Sequence, residues 1–234
     1  MASADFSTTA RPIVIGHRGA SGHALENSMA AFQIAATAGH PARCDGVELD
    51  IHTTSDGHFV VHHDPALATG EPISTLSLSR VRAIPLADGS PIPTLAEASA
   101  ALARIELFVE AKGLPPGADA ALVALLQTRR DATWQVHAFD HRIIARLSRL
   151  VDASCLGVLS ASYPVDPIAP LHHAGAGTLW QQADLIDAGL VAACHQHGIA
   201  IIAWTVNSGE QAAVLMALGV DGLCGNWPER LRPA

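Results

Sequence analysis

Short runs rich in valine, isoleucine and leucine alternate along this chain with longer alanine-rich stretches of helical period, and little else constrains its fold as strongly. Runs at Pro12–Gly16, Asp45–Ile51, Ile105–Ala111, Thr133–Ala138, Ser154–Leu159, Gly177–Trp180, Ile199–Thr205 and Asp221–Cys224 read as strands. Helices are expected between them over 28–38, 94–103, 118–129, 141–150, 187–197 and 209–218, with Asn27 or Ser28 capping the first. Apolar strands separated by helices make a parallel sheet, and eight of them in 234 residues make an α/β fold of the (β/α)8 TIM-barrel type. Phe59–His63 reads as a hairpin-like excursion after the turn at Asp56-Gly57. Residues 64–93, rich in Pro, Ser, Thr and Gly, read as a short insertion after the second strand, and a Pro-rich loop follows Leu159. A doubly wound open sheet is the alternative, but no glycine-rich dinucleotide fingerprint follows the first strand. No linker divides the chain, so 1–234 is expected to be one domain, with 1–11 flexible.

Charge and composition narrow the partners. A net charge of −8 with no basic tract, and 4% aromatic residues, argue against nucleic acid and anionic membrane surfaces. The longest apolar stretch, Ile199 to Val206, is interrupted by Thr205 and is far short of a membrane span. The first twelve residues lack the apolar segment of a secretory signal. Cys44, Cys155, Cys194 and Cys224 form no CxxC pair, which suits a reducing cytoplasm. No pattern speaks to oligomeric state.

Active sites of such barrels lie at the C-terminal strand ends. There stand His17-Arg18, Glu48 and Asp50, Glu110 and Lys112, Trp204, and Asn226. Glu48 and Asp50 are two apart and share one face of a strand, opposite Val47, Leu49 and Ile51. With Glu110 they offer three carboxylates, a set that suits a hard cation such as Mg²⁺ or Ca²⁺; a solvated strand edge fits the spacing equally. Arg18 can fork onto phosphate oxygens while His17 moves a proton, though His-Arg-Gly alone also fits a simple turn. His62-His63-Asp64 offers a second proton-transfer group or an exposed loop. His137, ending the fourth strand, fits a pocket wall or the core. The remaining nine of the 13 histidines fall on helices and loops without pattern.

Taken together, HRGA at 17–20, EN at 26–27, ELD at 48–50, TSDG at 54–57, HDPAL at 63–67, IPTLAE at 92–97, VEAK at 109–112, WTVN at 204–207 and GVDG at 219–222 resemble the glycerophosphodiester phosphodiesterase family, in order and across nearly the whole chain. The family fold is a (β/α)8 barrel. The resemblance implies hydrolysis of glycerophosphodiesters to sn-glycerol 3-phosphate and an alcohol. One divalent cation, Mg²⁺ or Ca²⁺, would sit on Glu48, Asp50 and Glu110, with His17 and His63 as acid–base pair and Arg18 and Lys112 on the phosphate. Trp204 would wall the glycerol end, and Asn27 would orient the first-strand loop or touch the metal shell. The nucleophile implied is the substrate's own 2-hydroxyl, since the chain has no GxSxG elbow and no cysteine in a matching segment. Leu25-Glu26-Asn27-Ser28 replaces the family's usual Pro-Glu-Asn-Thr, and Gly225-Asn226-Trp227-Pro228 departs from its last motif, so the resemblance gives Asn226 no role. A lysophospholipase D activity would use the same chemistry beside an apolar groove, whereas a non-enzymatic ligand-binding barrel would bind without metal or turnover.

Overall fold

A computed structural model describes residues 11–130 and 132–232. Of the segment expected to be flexible, residues 1–10 lie outside the described residues, while Arg11 forks onto Asp45 at 2.9 and 3.0 Å. Eight parallel strands close into a barrel: β1 (Ile13–Gly16), β2 (Gly46–Thr53), β4 (Glu106–Gly113), β5 (Trp134–Ala138), β6 (Leu156–Ser160), β7 (Thr178–Gln182), β8 (Ala200–Trp204) and β9 (Gly222–Gly225). β3 (Phe59–Val61) folds back antiparallel on β2, as the turn at Asp56-Gly57 led one to expect.

Each barrel strand but β9 is followed by a helix, β2 by way of β3. Helices α1 (Met29–Ala36), α3 (Leu95–Ala101), α4 (Asp119–Leu126), α5 (His141–Leu147), α7 (Ala188–Gln196) and α8 (Gly209–Leu218) match the six expected, α8 to the residue and the others trimmed by one to three residues at one or both ends. Ser28, not Asn27, caps α1, its hydroxyl accepting from the Ala31 N–H. Two short helices were not legible as such. α2 (Leu78–Arg82) lies in the insertion, where Val60, Leu67, Ile73, Val81 and Ile92 form a small core of their own. α6 (Ala169–Ala174) occupies the Pro-rich stretch, with Pro170 in its first turn, where its missing N–H costs nothing.

Strand parity divides the core in two. Outward residues such as Val14, Val47, Leu49, Val109 and Val136 pack under the helices. Inward residues Ile13, Ile15, Phe108, Leu159, Trp180, Ile202 and Cys224 fill the barrel. The large rings fit because neighbours are small: a Cβ on Gly46 would lie 2.5 Å from Phe108, and one on Gly157 2.8 Å from Trp180.

The closure is uneven. β2 and β4 pair over seven residues, but β1 meets β2 at two positions only, Ile15 with Gly46 and Gly16 with Val47. Beyond those positions, backbone bonds from the Asp45 N–H to the Val14 carbonyl at 2.9 Å and from the Gly19 N–H to the Glu48 carbonyl at 3.2 Å are joined by bonds to side chains. The Val14 N–H donates to the Asp45 carboxylate at 2.9 Å, and the Arg18 N–H to Glu48 Oε2 at 2.9 Å.

Candidate active site

The chain leaves β1 through His17, Arg18 and Gly19, and the turn is tight. Gly19 has φ of 82° and a Cβ there would lie 2.8 Å from Ala31, so the third residue of His-Arg-Gly must be glycine to seat the loop on α1. Arg18 and Asn27 are the two described non-glycine residues with positive φ, 55° and 56°. Both conformations are held by hydrogen bonds, the Asn27 N–H donating to the Arg18 carbonyl at 3.0 Å.

β2 and β4 carry the acids. Glu48, Asp50 and Glu110 all point into the barrel and are buried, so the solvated-edge alternative is set aside. Asp50 lies among cations, with Arg18 Nε at 3.1 Å and the Asn27 amide at 2.8 Å on Oδ2, while Oδ1 accepts no hydrogen bond and pairs only in charge with Lys112 Nζ at 3.3 Å. Burial opposes its ionisation, but Lys112, Arg18 and Asn27 outweigh that and hold its carboxyl below the usual range. Glu110 lies 2.8 Å from Lys112, yet burial and the neighbouring Asp50 charge push its carboxyl up to about 7. Burial, then Asp50 and Glu110, push Glu48 well above its ordinary value. Glu48 Oε1 is buried without a hydrogen-bond partner. One ligand atom each from Glu48, Glu110 and His137 lie within 4.8 Å of one another. A buried, unpartnered carboxylate oxygen inside such a cluster is what a cation site presents in its apo form, and the donor set fits a divalent ion.

The two histidines expected to move protons face one pocket with Arg18, Lys112 and Trp204. His17 Nδ1 meets Asn226 Oδ1 at 2.7 Å. An amide oxygen only accepts, so Nδ1 carries the proton and Nε2 keeps its lone pair. Asn226 is itself fixed, its N–H donating to Asn207 Oδ1 at 2.9 Å and its carbonyl accepting from Gly22. Burial and the Arg18 charge lower His17 to about 4, so the imidazole is neutral near pH 7. His63, rather than His62, lines the pocket, and its Nδ1 lies 2.8 Å from Asp64 Oδ1. Arg18 also fixes its fork against Glu26, with Nη1 2.9 Å from each carboxylate oxygen.

Asn27 stands away from the pocket wall. Its amide donates to Asp50 Oδ2 and accepts from the Asp50 N–H at 3.3 Å, so it orients Asp50 and the first-strand loop. Trp204 meets Phe139 edge to face at 5.5 Å, forming an aromatic corner at the mouth. His137, left open between wall and core by the sequence, is both: 1% exposed, yet lining the pocket. Sequence reading passed over Phe139, Trp180 and Gln135. The signal for Gln135 was there, since it shares the inward parity of His137 on β5.

Among the described residues no helix is long and apolar enough to cross a membrane. The glycerophosphoryl diester phosphodiesterase family model matches residues 17–230. A glycerophosphodiester phosphodiesterase of Caldanaerobacter subterraneus is 28% identical over 94% of this chain and 96% of its own length. A phosphodiesterase of Oleispira antarctica, solved with sn-glycerol 3-phosphate bound, superposes with a TM-score of 0.83 at 24% identity, covering 94% of this chain and 95% of that one. The glycerophosphodiester phosphodiesterase of Thermotoga maritima gives 0.77 at 24% identity, over 94% and 97%. A lysophospholipase D of Rattus norvegicus is 47% identical over 66 residues, 27% of this chain and 20% of its own. With nine motifs in order, a closed eight-stranded barrel, and a family match spanning all but the two ends, this chain belongs to the glycerophosphoryl diester phosphodiesterase family.

Proposed function

We propose that the protein hydrolyses glycerophosphodiesters to sn-glycerol 3-phosphate and an alcohol, with His17 and His63 as the acid–base pair. The observation that carries the reading is the His17–Asn226 bond, which leaves Nε2 of a neutral imidazole free in a pocket it shares with His63, Arg18 and Lys112. His17 Nε2 takes the proton of the substrate's 2-hydroxyl as that oxygen attacks phosphorus. The bond from phosphorus to the head-group oxygen breaks, and His63 delivers a proton to that oxygen, its imidazolium steadied by Asp64. A 1,2-cyclic phosphate results. Water then opens it, with His63 taking the water's proton and His17 returning one to the 2-oxygen. Keeping the nucleophile within the substrate makes the attack intramolecular, an advantage of up to about 7–11 kcal/mol when well oriented.

Charge supports a metal requirement. Burial and mutual repulsion raise the Glu48 and Glu110 carboxyls above their ordinary range, a cost that a divalent cation between them would relieve. A divalent cation on Glu48 and Glu110, with Asp50 beside them, would supply charge stabilisation to the oxygens on phosphorus. Carboxylates alone would select Mg²⁺ or Ca²⁺. Arg18 and Lys112 hold the phosphate, and Trp204 packs on the glycerol. The four cysteines, all free and buried, support a cytoplasmic setting.

A second substrate class has its own support. Phe139, Tyr163 and Val165 are exposed on loops after β5 and β6, on the side of the barrel where the pocket opens, and give an acyl chain an apolar rim. One assay tests both readings: release of glycerol 3-phosphate, or of its acylated counterpart, from a panel of head groups with and without chelator. Chelator-sensitive release supports the proposal. Ligand binding without turnover, or full activity in excess chelator, overturns it.

A further inference from the structure

The buried group that this mechanism leaves unused is His137. Its ring lies inside the barrel, stacked on Trp180 with centroids 4.1 Å apart and planes 16° from parallel, and its Nδ1 is buried without a hydrogen-bond partner. The stack is braced from behind. Trp180 Nε1–H donates to Gln135 Oε1 at 2.7 Å, and the Gln135 amide donates to Thr178 Oγ1 at 2.9 Å. A core histidine would spend its ring nitrogens on neighbours; this one is held rigid while one stays unspent. The same ring offers a nitrogen within 4.8 Å of carboxylate oxygens of Glu48 and Glu110. Asp50, the third carboxylate, falls outside this group, and its Oδ2 is engaged by Arg18 and Asn27.

We infer that His137 supplies an imidazole nitrogen to the divalent cation carried by Glu48 and Glu110, and that this nitrogen turns the site toward Mn²⁺, Co²⁺ or Zn²⁺ in preference to Mg²⁺ and Ca²⁺. The inference rests on the metal-dependent reading above. Its chemistry is that of ligand softness: oxygen-only sites suit the hard alkaline-earth ions, whereas an imidazole strengthens binding of first-row transition ions and adds little for Ca²⁺ or Mg²⁺. Preorganisation adds to it, because the Trp180 stack fixes the ring before any ion arrives.

The test reads the ligand directly. The full-length protein is stripped with chelator, loaded with Mn²⁺, and examined by electron spin echo spectroscopy for coupling to ¹⁴N. Coupling is expected in the wild type and in His17→Gln, and is expected to vanish in His137→Gln. Calorimetric titration should show the Mn²⁺ Kd rising about 10–100-fold in His137→Gln, in the range that lost support at a metal site commands, with the Mg²⁺ Kd changed by about twofold or less. That retained Mg²⁺ binding doubles as the check that the variant is folded, and His137→Asn replaces it if it is not. An absence of ¹⁴N coupling in the wild type, or coupling that survives in both His137 variants, overturns the inference while leaving metal dependence intact. Wild-type protein that binds none of Mn²⁺, Mg²⁺ and Ca²⁺ overturns the metal-dependent reading and this inference with it.

Discussion

Removing the Asn27 side chain is a sharp test of how the acidic cluster is held. In Asn27→Ala, Asp50 loses a hydrogen bond at 2.8 Å to a charged oxygen, a loss of about 1.5–3 kcal/mol. The buried Asp50 N–H loses its acceptor at 3.3 Å, adding about 1 kcal/mol for so long a bond. Alanine must also adopt φ near 56°, which costs about 1 kcal/mol more than asparagine there. The sum is about 3–5 kcal/mol, or a fall in Tm of roughly 6–20 °C for a chain of this size. Asn27→Gly loses the same two hydrogen bonds but not the backbone term, so it should be more stable than Asn27→Ala by about 1 kcal/mol. Urea unfolding followed by circular dichroism at pH 7 gives the order wild type, glycine, alanine. Either variant lying within 0.5 kcal/mol of the wild type would sink the claim that Asn27 anchors Asp50. Alanine matching or exceeding glycine would refute the backbone part alone.

Three further outcomes are expected. Arg129, which donates to the carbonyls of Ser99, Leu102 and Ile105 away from the pocket, should on change to Lys lower stability by about 2–3 kcal/mol with kcat intact, read by unfolding and steady-state kinetics. Acid acts on the apo protein through opposing groups: His17 and His137 titrate near 4 and 3 when folded but near 6.5 when unfolded and so favour the unfolded chain as pH falls, whereas the raised Glu48 and Glu110 carboxyls favour the folded one. The share of His137 is isolated by comparison: between pH 6.5 and 4 the wild type should lose about 3 kcal/mol of stability relative to His137→Gln in melts across the range. A substrate lacking the 2-hydroxyl should bind with modest loss yet turn over at least about 10⁴-fold more slowly, with no cyclic phosphate trapped; equal kcat values would point to direct attack by water.

Much of this was legible in the sequence, for identifiable reasons. Barrel strands are buried on both faces and read as apolar runs, so even the short run at Gly177–Trp180 became β7. Glu48 and Asp50 break that rule on one face only, a spacing that fits a solvated edge as well, and only the fold shows that both are buried. What stayed hidden depended on contacts distant in sequence. Asn226 departs from the family pattern, and its bond to His17 spans 209 residues. The resemblance gave Asn27 the first-strand loop or the metal shell, but not the left-handed backbone that turns its amide onto Asp50. α2 and the small core around Ile73 escaped because their few apolar residues are scattered among prolines and serines.

The uneven closure of the barrel has a consequence of its own. Where β1 meets β2 the strands pair at two positions, and the Arg18–Glu48 and Arg18–Asp50 contacts reinforce the join. The groups that would grip the phosphate and the cation thus also serve as the clasp of the ring. Anything that binds Arg18 and Glu48 together draws the clasp tighter, so occupancy of the pocket is converted into slower amide exchange along Ile13–Gly16 and Gly46–Thr53. Catalytic readiness and the integrity of the ring are, along this seam, one equilibrium.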